Sequence, residues 1–197
     1  MMKLNSARLA WHDALYTPWD SQGSHVEQIG LLGCSVQKTE KSVNSQHAMQ
    51  QAMSAHIQHA IATLTPSLRA FGNYMYSPIA TNDDSDDAHD ALFMAAYAMG
   101  PKMYAKKFEK ARLVAAGILF RYRRMHQGGQ SEGVDPCPTP ESFRGWLLNV
   151  LGLDLDSRNW EREWQDFVQA CFNACNDLDK QALIPVSLAI KIMKIAA

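Results

Sequence analysis

The sequence predicts an all-α fold, a compact multi-helix domain with an irregular N-terminal arm. Apolar residues recur at three- and four-residue spacing through most of the chain after residue 45, and Pro and Gly residues separate these stretches. No alternating run rich in Val, Ile and Thr indicates a strand. A hydrophobic fraction of 47% in 197 residues is enough for one core. We therefore expect an arm over 1–42 that packs on a helical domain over 43–197.

The N-terminal segment combines one short helical pattern with a Gly-rich stretch. Residues 7–16 predict a helix that ends before Pro18, because the proline ring disfavours a helical residue ahead of it. The following segment carries Trp19 and Leu31 among its glycines. Apolar side chains of this kind favour an ordered arm, since disordered tails contain fewer of them.

The rest of the chain predicts a series of helices. The first spans 45–64, and Pro66 and Gly72 interrupt the helical pattern after it. After an acidic loop over 76–87, Asp86 or Asp87 is expected to cap a helix that ends before Gly100. A long helix over 102–126 comes next, with Gly117 at a possible close helix crossing, and then a loop over 127–140.

Three further helices complete the prediction. Thr139 and Pro140 are typical of a helix start, and that helix is expected to end near Gly152. A strongly amphipathic helix should begin at Asp156 or Ser157, with an apolar row from Trp160 to Phe172 that suits either a core or a dimer seam. A last helix is expected to begin at Pro185. The sequence leaves the oligomeric state open.

Charge is concentrated in residues 100–126, although the formal net charge of the chain is only −1. Glu109 is the one acidic residue among these basic ones: Lys102, Lys106, Lys107, Lys110, Arg112, Arg121, Arg123 and Arg124. A basic helix of this kind predicts contacts with nucleic-acid phosphates, because each contact releases counterions. A solvated helix face balanced by the aspartates at 83, 84, 86, 87 and 90 explains the same charges.

Metal and catalytic patterns are weak. His56 and His59, with His47 upstream, have a spacing that can place imidazoles together, yet no acidic residue accompanies them, so we expect no metal site there. Cys171 and Cys175 lie one helical turn apart within an apolar row, which favours two small buried hydrophobes. No zincin, nucleophile-elbow or phosphate-loop motif is present. We expect no cofactor and no enzymatic activity.

Localisation is predicted from the absence of apolar runs. No stretch approaches the ~20 apolar residues of a transmembrane helix, and the N-terminus lacks the apolar segment of a secretory signal. We expect a cytoplasmic protein without a membrane partner.

Three segments resemble the lambda-type late antitermination protein Q family of temperate phages. They are LRAFGNYMY at 68–76, KARLVAAGILFRY at 110–122, and the Trp-initiated helix over 159–178. Together they cover roughly half of the chain. This family carries a zinc-binding insertion of four cysteines before its last helix, whereas the loop at 127–140 contains only Cys137. No metal ligand can therefore be transferred.

The resemblance implies a phage or prophage regulator that binds DNA and engages bacterial RNA polymerase so that it reads through terminators. DNA, or RNA, is then the expected nucleic-acid partner. An alternative is a protein-interaction adaptor or inhibitor whose basic face meets an acidic partner without nucleic acid, because no base-reading motif such as a helix-turn-helix is evident.

Overall fold

The computed structural model describes residues 5–16, 41–100, 102–126 and 133–196. Within these ranges the chain forms seven α-helices and one π-helical turn, with no strand, which confirms the all-α prediction. The helices are α1 Ala7–Leu15, α2 Lys41–Ala62, α3 Pro66–Tyr76, α4 Asn82–Met99, α5 Ala105–His126, α6 Pro140–Leu151 and α7 Asp166–Ala196. The π-helical turn, Glu161–Gln165, leads directly into α7.

Local sequence chemistry sets two helix starts. At α6, Thr139 Oγ1 accepts a hydrogen bond from the amide of Ser142, and Pro140 occupies the first turn, as predicted. At α4 the cap is Thr81, whose side chain accepts from the amide of Asp84. The predicted cap at Asp86 or Asp87 is therefore wrong, because Thr81 and Asp84 complete a capping box one turn earlier.

The C-terminal helix differs most from the prediction. Pro185 lies inside α7, so the expected helix start at this residue is wrong. A proline in a helix interior costs about 3 kcal/mol. Ala182 and Val186, both 0% exposed, flank it and pack in the core, and this burial offsets the cost. The expected start at Asp156 or Ser157 is also a few residues early, since helical structure begins with the π turn.

Helix α7 is the centre of the domain and contacts α1, α2, α3, α4 and α5. Trp164, Phe167 and Cys171 of the predicted apolar row are buried against these neighbours. The row is thus part of the core and is not an exposed dimer seam. Cys171 and Cys175 are both 0% exposed, which confirms that they behave as small hydrophobes.

Helix α1 packs on α2, α3 and α7. Trp11 is 0% exposed, and its ring lies so close to Gly72 that a Cβ there would fall 2.2 Å from Cη2. Residues 1–4 and 17–40 of the expected arm lie outside the described residues. Within the described ranges, the helices are too short or too polar to cross a bilayer.

Candidate nucleic-acid interface

Helix α6 packs on one side of α5 near the middle of the basic stretch. It crosses α5 at Gly117, where a Cβ would lie 2.8 Å from Leu147 Cδ2 and 3.0 Å from Phe143 Cε2. The predicted close helix crossing is therefore confirmed. We therefore describe the basic residues before Gly117 and those after it as two groups.

The group before Gly117 contains three exposed lysines. Lys102, Lys106 and Lys110 are exposed, and none takes part in the ion pairs found in the described parts of the chain. Tyr104, 69% exposed, lies among them in sequence. The amides at the start of α5 have no acceptor inside the helix, so its positive dipole end adds to the field of the lysines. We call Lys102, Tyr104, Lys106 and Lys110 the α5 lysine patch.

Two basic residues of the first group are engaged within the protein. Lys107 donates from Nζ to the carbonyl oxygen of Glu163 at 2.6 Å and lies 5.2 Å from the centre of the Trp164 ring. Arg112 donates to Asp90 Oδ1 at 2.7 Å. Of the upstream aspartates, Asp90 is thus the one that neutralises a basic residue of α5 in the described structure.

The second group is mostly structural. Arg121 is 9% exposed and donates through Nε and Nη2 to the two oxygens of Asp135, at 3.2 and 2.6 Å. Its guanidinium also lies within 5.1 Å of the ring centres of Phe143 and Phe172. Although burial opposes ionisation, the hydrogen bonds from Arg121 and from the Cys137 amide keep the pKa of Asp135 below its usual value.

The last two arginines differ in exposure. Arg123 is half-buried with its guanidinium 4.5 Å from the centre of the Tyr74 ring. Arg124 is exposed and lies beside Phe120. Of the eight predicted phosphate-contacting residues, the structure therefore leaves Lys102, Lys106, Lys110 and Arg124 exposed and without an ion pair in its described part.

A buried polar cluster at the other end of α5 was missed by sequence reasoning. Asp179 of α7 accepts from Arg8 Nη2 at 2.7 Å and from the Tyr76 hydroxyl at 2.5 Å. The Tyr122 hydroxyl donates to Asn176 Oδ1 at 3.1 Å and lies 3.4 Å from Asp179 Oδ2. The sequence does contain a signal: Cys171, Cys175 and Asp179 share a four-residue spacing, which puts the carboxylate on the buried side of α7.

The electrostatics of this cluster favour a structural role. Burial and the nearby Asp179 charge raise the pKa values of Tyr76 and Tyr122, so both phenols stay protonated and donate. Burial and the charge of Arg8 lower the pKa of His126, whose Nδ1 accepts from Arg8 at 3.2 Å. Because these groups satisfy one another, the cluster joins four helices and leaves little hydrogen-bonding capacity for a ligand.

An open cleft of about 650 Å³ lies between the start of α6 and the π-helical turn. Arg144 and Arg158 line it together with Glu141 and Glu161, so opposite charges alternate around it. Arg144 rests 5.7 Å from the centre of the Trp160 ring. The mixed charges do not define one class of ligand.

Histidine and cysteine ligands do not gather in the described residues. His56 and His59 are exposed, and the side chain of His47 lies outside the described part. No group of three His, Cys, Asp or Glu side chains suited to a metal ion occurs among the described residues.

The fold and surface define an all-α domain with a lysine patch at the positive end of a long helix. Comparisons with protein-family models, with curated proteins and with solved structures give no match to this chain.

Proposed function

We propose that the protein is a phage or prophage regulator that binds DNA through the α5 lysine patch. The supporting observation is the exposure of Lys102, Lys106 and Lys110 without an ion pair in the described structure. The antitermination role and the bacterial RNA polymerase partner rest on the sequence resemblance alone.

The geometry of the patch suits phosphate contacts. Lys106 and Lys110 are one helical turn apart, which separates their Cα atoms by about 6 Å along the axis. Both project from a rigid helix whose other side is fixed by buried residues such as Ala111 and Val114. Lysines contact phosphates as point charges and carry little sequence information, so the patch sets affinity and position.

The three resembling segments lie mostly outside the patch, with which they share only Lys110. Residues 68–76 lie in α3, residues 110–122 lie in α5, and residues 159–178 include the π turn and the first part of α7. Many of their apolar side chains are buried, including Ile118, Phe167 and Cys175. These segments would therefore supply a shared core, while the lysine patch would supply the contact with DNA.

The DNA-binding proposal is tested by a salt titration of a labelled duplex in fluorescence anisotropy. Three phosphate contacts predict a slope of about −2.7 in a plot of log K against log salt concentration. The Lys102→Glu/Lys106→Glu/Lys110→Glu variant should lose this binding. The control variant Lys180→Glu/Lys191→Glu/Lys194→Glu changes the net charge equally at exposed sites on α7 and should keep it. Salt-independent binding by the wild type, or equal loss in both variants, contradicts the proposal.

Antitermination is tested separately by transcription in vitro with purified bacterial RNA polymerase. A template with a terminator downstream of a phage late promoter should yield more read-through transcript when the protein is present. The α5 lysine variant should not increase read-through. Equal read-through with and without the wild-type protein would contradict the antitermination role. The DNA-binding proposal would not be affected, because the salt titration tests it separately.

The alternative, an adaptor or inhibitor that works without nucleic acid, has an observation of its own. An apolar row edged by lysines is exposed on α7, far in sequence from the α5 lysine patch. Co-purification from a host lysate treated with nuclease separates the two functions: DNA-dependent partners are lost, whereas partners of an adaptor remain.

A further inference from the structure

The second half of α7 exposes a row of branched aliphatic side chains. Ile184 and Leu188 are each 55% exposed, Ile192 is 67% exposed and Ile195 is 78% exposed. Their spacing of four, four and three residues places them within about 80° of one side of the helix and over about 16 Å of its length. We call these four residues the α7 apolar row.

The opposite side of the same segment is part of the core. Val186 is 0% exposed and Ile190 is 7% exposed. The segment is therefore a fixed element of the domain, and the apolar row is held outward by the packing behind it. Single exposed aliphatic residues are common on protein surfaces, but a contiguous row of them marks a candidate interaction site.

Lysines follow one edge of the row. Lys180, Lys191 and Lys194 are exposed, and residues 180–196 contain no Asp or Glu. At 100° per residue the three lysines fall on one side of the row, whereas Pro185 lies towards the other. The surface is thus apolar along its middle and positively charged along a single edge.

This charge pattern argues against a second copy of the chain as the occupant. An antiparallel copy that places Leu188 opposite Ile192 would also bring the lysine edges of the two copies side by side. No carboxylate of residues 180–196 is available to compensate them. Like charges at such positions disfavour pairing.

The pattern also favours a partner helix over a lipid bilayer as the occupant of the apolar row. A helix that lies on an anionic membrane presents a wide apolar face beneath a cationic polar face. Here the apolar row is narrow, its lysines are on one edge, and the opposite side of α7 is packed in the protein. A narrow row of three- and four-residue spacing matches the contact surface of a single packed helix.

We propose that the α7 apolar row docks an amphipathic α-helix of a partner protein. The partner helix carries apolar residues at three- and four-residue spacing and carboxylates along the edge that meets Lys180, Lys191 and Lys194. This interaction is separate from DNA binding by the α5 lysine patch, because the two surfaces share no residue.

The test uses the full chain and two designed helical peptides in isothermal titration calorimetry. Both peptides carry the same Leu row at three- and four-residue spacing; one has Glu along a single edge, and the other has Lys there. The Glu-edged peptide should bind, and the Lys-edged peptide should bind at least about tenfold more weakly. Failure of the Glu-edged peptide to bind, or equal binding of both, overturns the proposal.

Variants locate the binding surface. Leu188→Glu/Ile192→Glu should weaken the Glu-edged peptide by at least about tenfold. Leu148→Glu/Val150→Glu places the same charges at exposed apolar positions of α6 and should bind normally. Circular dichroism and unfolding curves establish that both variants fold. Equal weakening in both variants contradicts the assignment to α7.

The other occupants and the DNA function have distinct readouts. Sedimentation velocity that shows a dimer abolished by Leu188→Glu/Ile192→Glu would assign the row to self-association and overturn the proposal. Binding to phosphatidylserine vesicles without binding to the peptide would overturn it in favour of a membrane. The Leu188→Glu/Ile192→Glu variant should keep its affinity for duplex DNA, and the α5 lysine variant should keep its affinity for the peptide.

Discussion

Arg8 of α1 donates to Asp179 of α7 across 2.7 Å, although the two residues are 171 positions apart in the chain. Asp179 is 4% exposed, and its other carboxylate oxygen accepts from the Tyr76 hydroxyl of α3. One buried carboxylate therefore connects the first described helix, the third and the last. A buried charge of this kind is tolerated because its partners compensate it, so removal of either partner leaves an unpaired group.

Loss of Asp179 should destabilise the domain strongly. Asp179→Leu removes the carboxylate that pairs with Arg8 and leaves the Tyr76 hydroxyl without its acceptor, and we expect the free energy of unfolding to fall by about 3–5 kcal/mol. Arg8→Met should also destabilise, because it leaves the carboxylate unpaired. In the Arg8→Met/Asp179→Leu double variant, the free energy of unfolding should fall by clearly less than the sum of the decreases in the two single variants. Urea unfolding measures all three, and additive losses would show that the pair is not coupled.

The neutral state of His126 predicts a pH dependence of stability. Its pKa in the folded protein is lowered from the ordinary value of 6.5, so the unfolded chain takes up the proton first as the pH falls. Stability should decrease as the pH falls below this ordinary value, towards the lower pKa of the folded state. Thermal melts of His126→Gln should decline less between about pH 7 and about pH 5.5 than those of the wild type. An unchanged slope in His126→Gln would contradict the assignment.

The crossing of α5 and α6 predicts opposite effects for two glycine substitutions. Gly117→Ala improves helix propensity but pushes a methyl group against Leu147 and Phe143, both 0% exposed, and should cost about 1–3 kcal/mol. Gly145→Ala on α6 meets nothing within 4 Å and should stabilise by about 0.5–1 kcal/mol. Chemical denaturation of both variants measures the contrast. Stabilisation by Gly117→Ala would mean that α6 moves to accommodate the methyl group without losing packing energy.

Arg121 should affect stability and leave DNA binding unchanged. Arg121→Gln removes the paired hydrogen bonds to Asp135 and should lower the free energy of unfolding by about 2 kcal/mol. Arg124→Gln changes an exposed residue and should change the free energy of unfolding by no more than about 0.5 kcal/mol. Under conditions where both variants are folded, anisotropy should give wild-type duplex affinity for Arg121→Gln. Weaker DNA binding by the folded Arg121→Gln protein would indicate that Arg121 does contribute to the DNA interface.

The described cysteines should be chemically inert in the folded protein. Burial raises the pKa of Cys171 to about 12, and burial also raises the pKa values of Cys175 and Cys137. Thiolates are the reactive species, so a disulfide reagent should not label these residues. In a Cys34→Ser background we expect no rapid labelling until denaturant is added, after which three thiols should react. Fast labelling of the native protein would show that the core opens readily.

The basic stretch, the buried polar cluster and the exposed row on α7 differ in how far they can be predicted from the sequence. The sequence predicts the positions of the basic residues of α5, but it does not predict their exposure, because exposure depends on contacts such as that between Arg121 and Asp135. The four-residue spacing from Cys171 through Cys175 to Asp179 indicates that this carboxylate lies on the buried side of α7. The exposed row on α7 is harder to predict, because Pro185 is typical of a helix start.

The amino-acid sequence predicts the helical class, the start of α6 at Thr139 and Pro140, and the close crossing at Gly117. These features depend on periodicity and capping, which act over a few residues. Tertiary contacts determine that α7 continues through Pro185 and that Arg121 pairs with Asp135 instead of facing solvent. Packing energy from distant helices outweighs the local cost of about 3 kcal/mol at Pro185, and contacts across the fold determine which charged residues of a helix remain exposed.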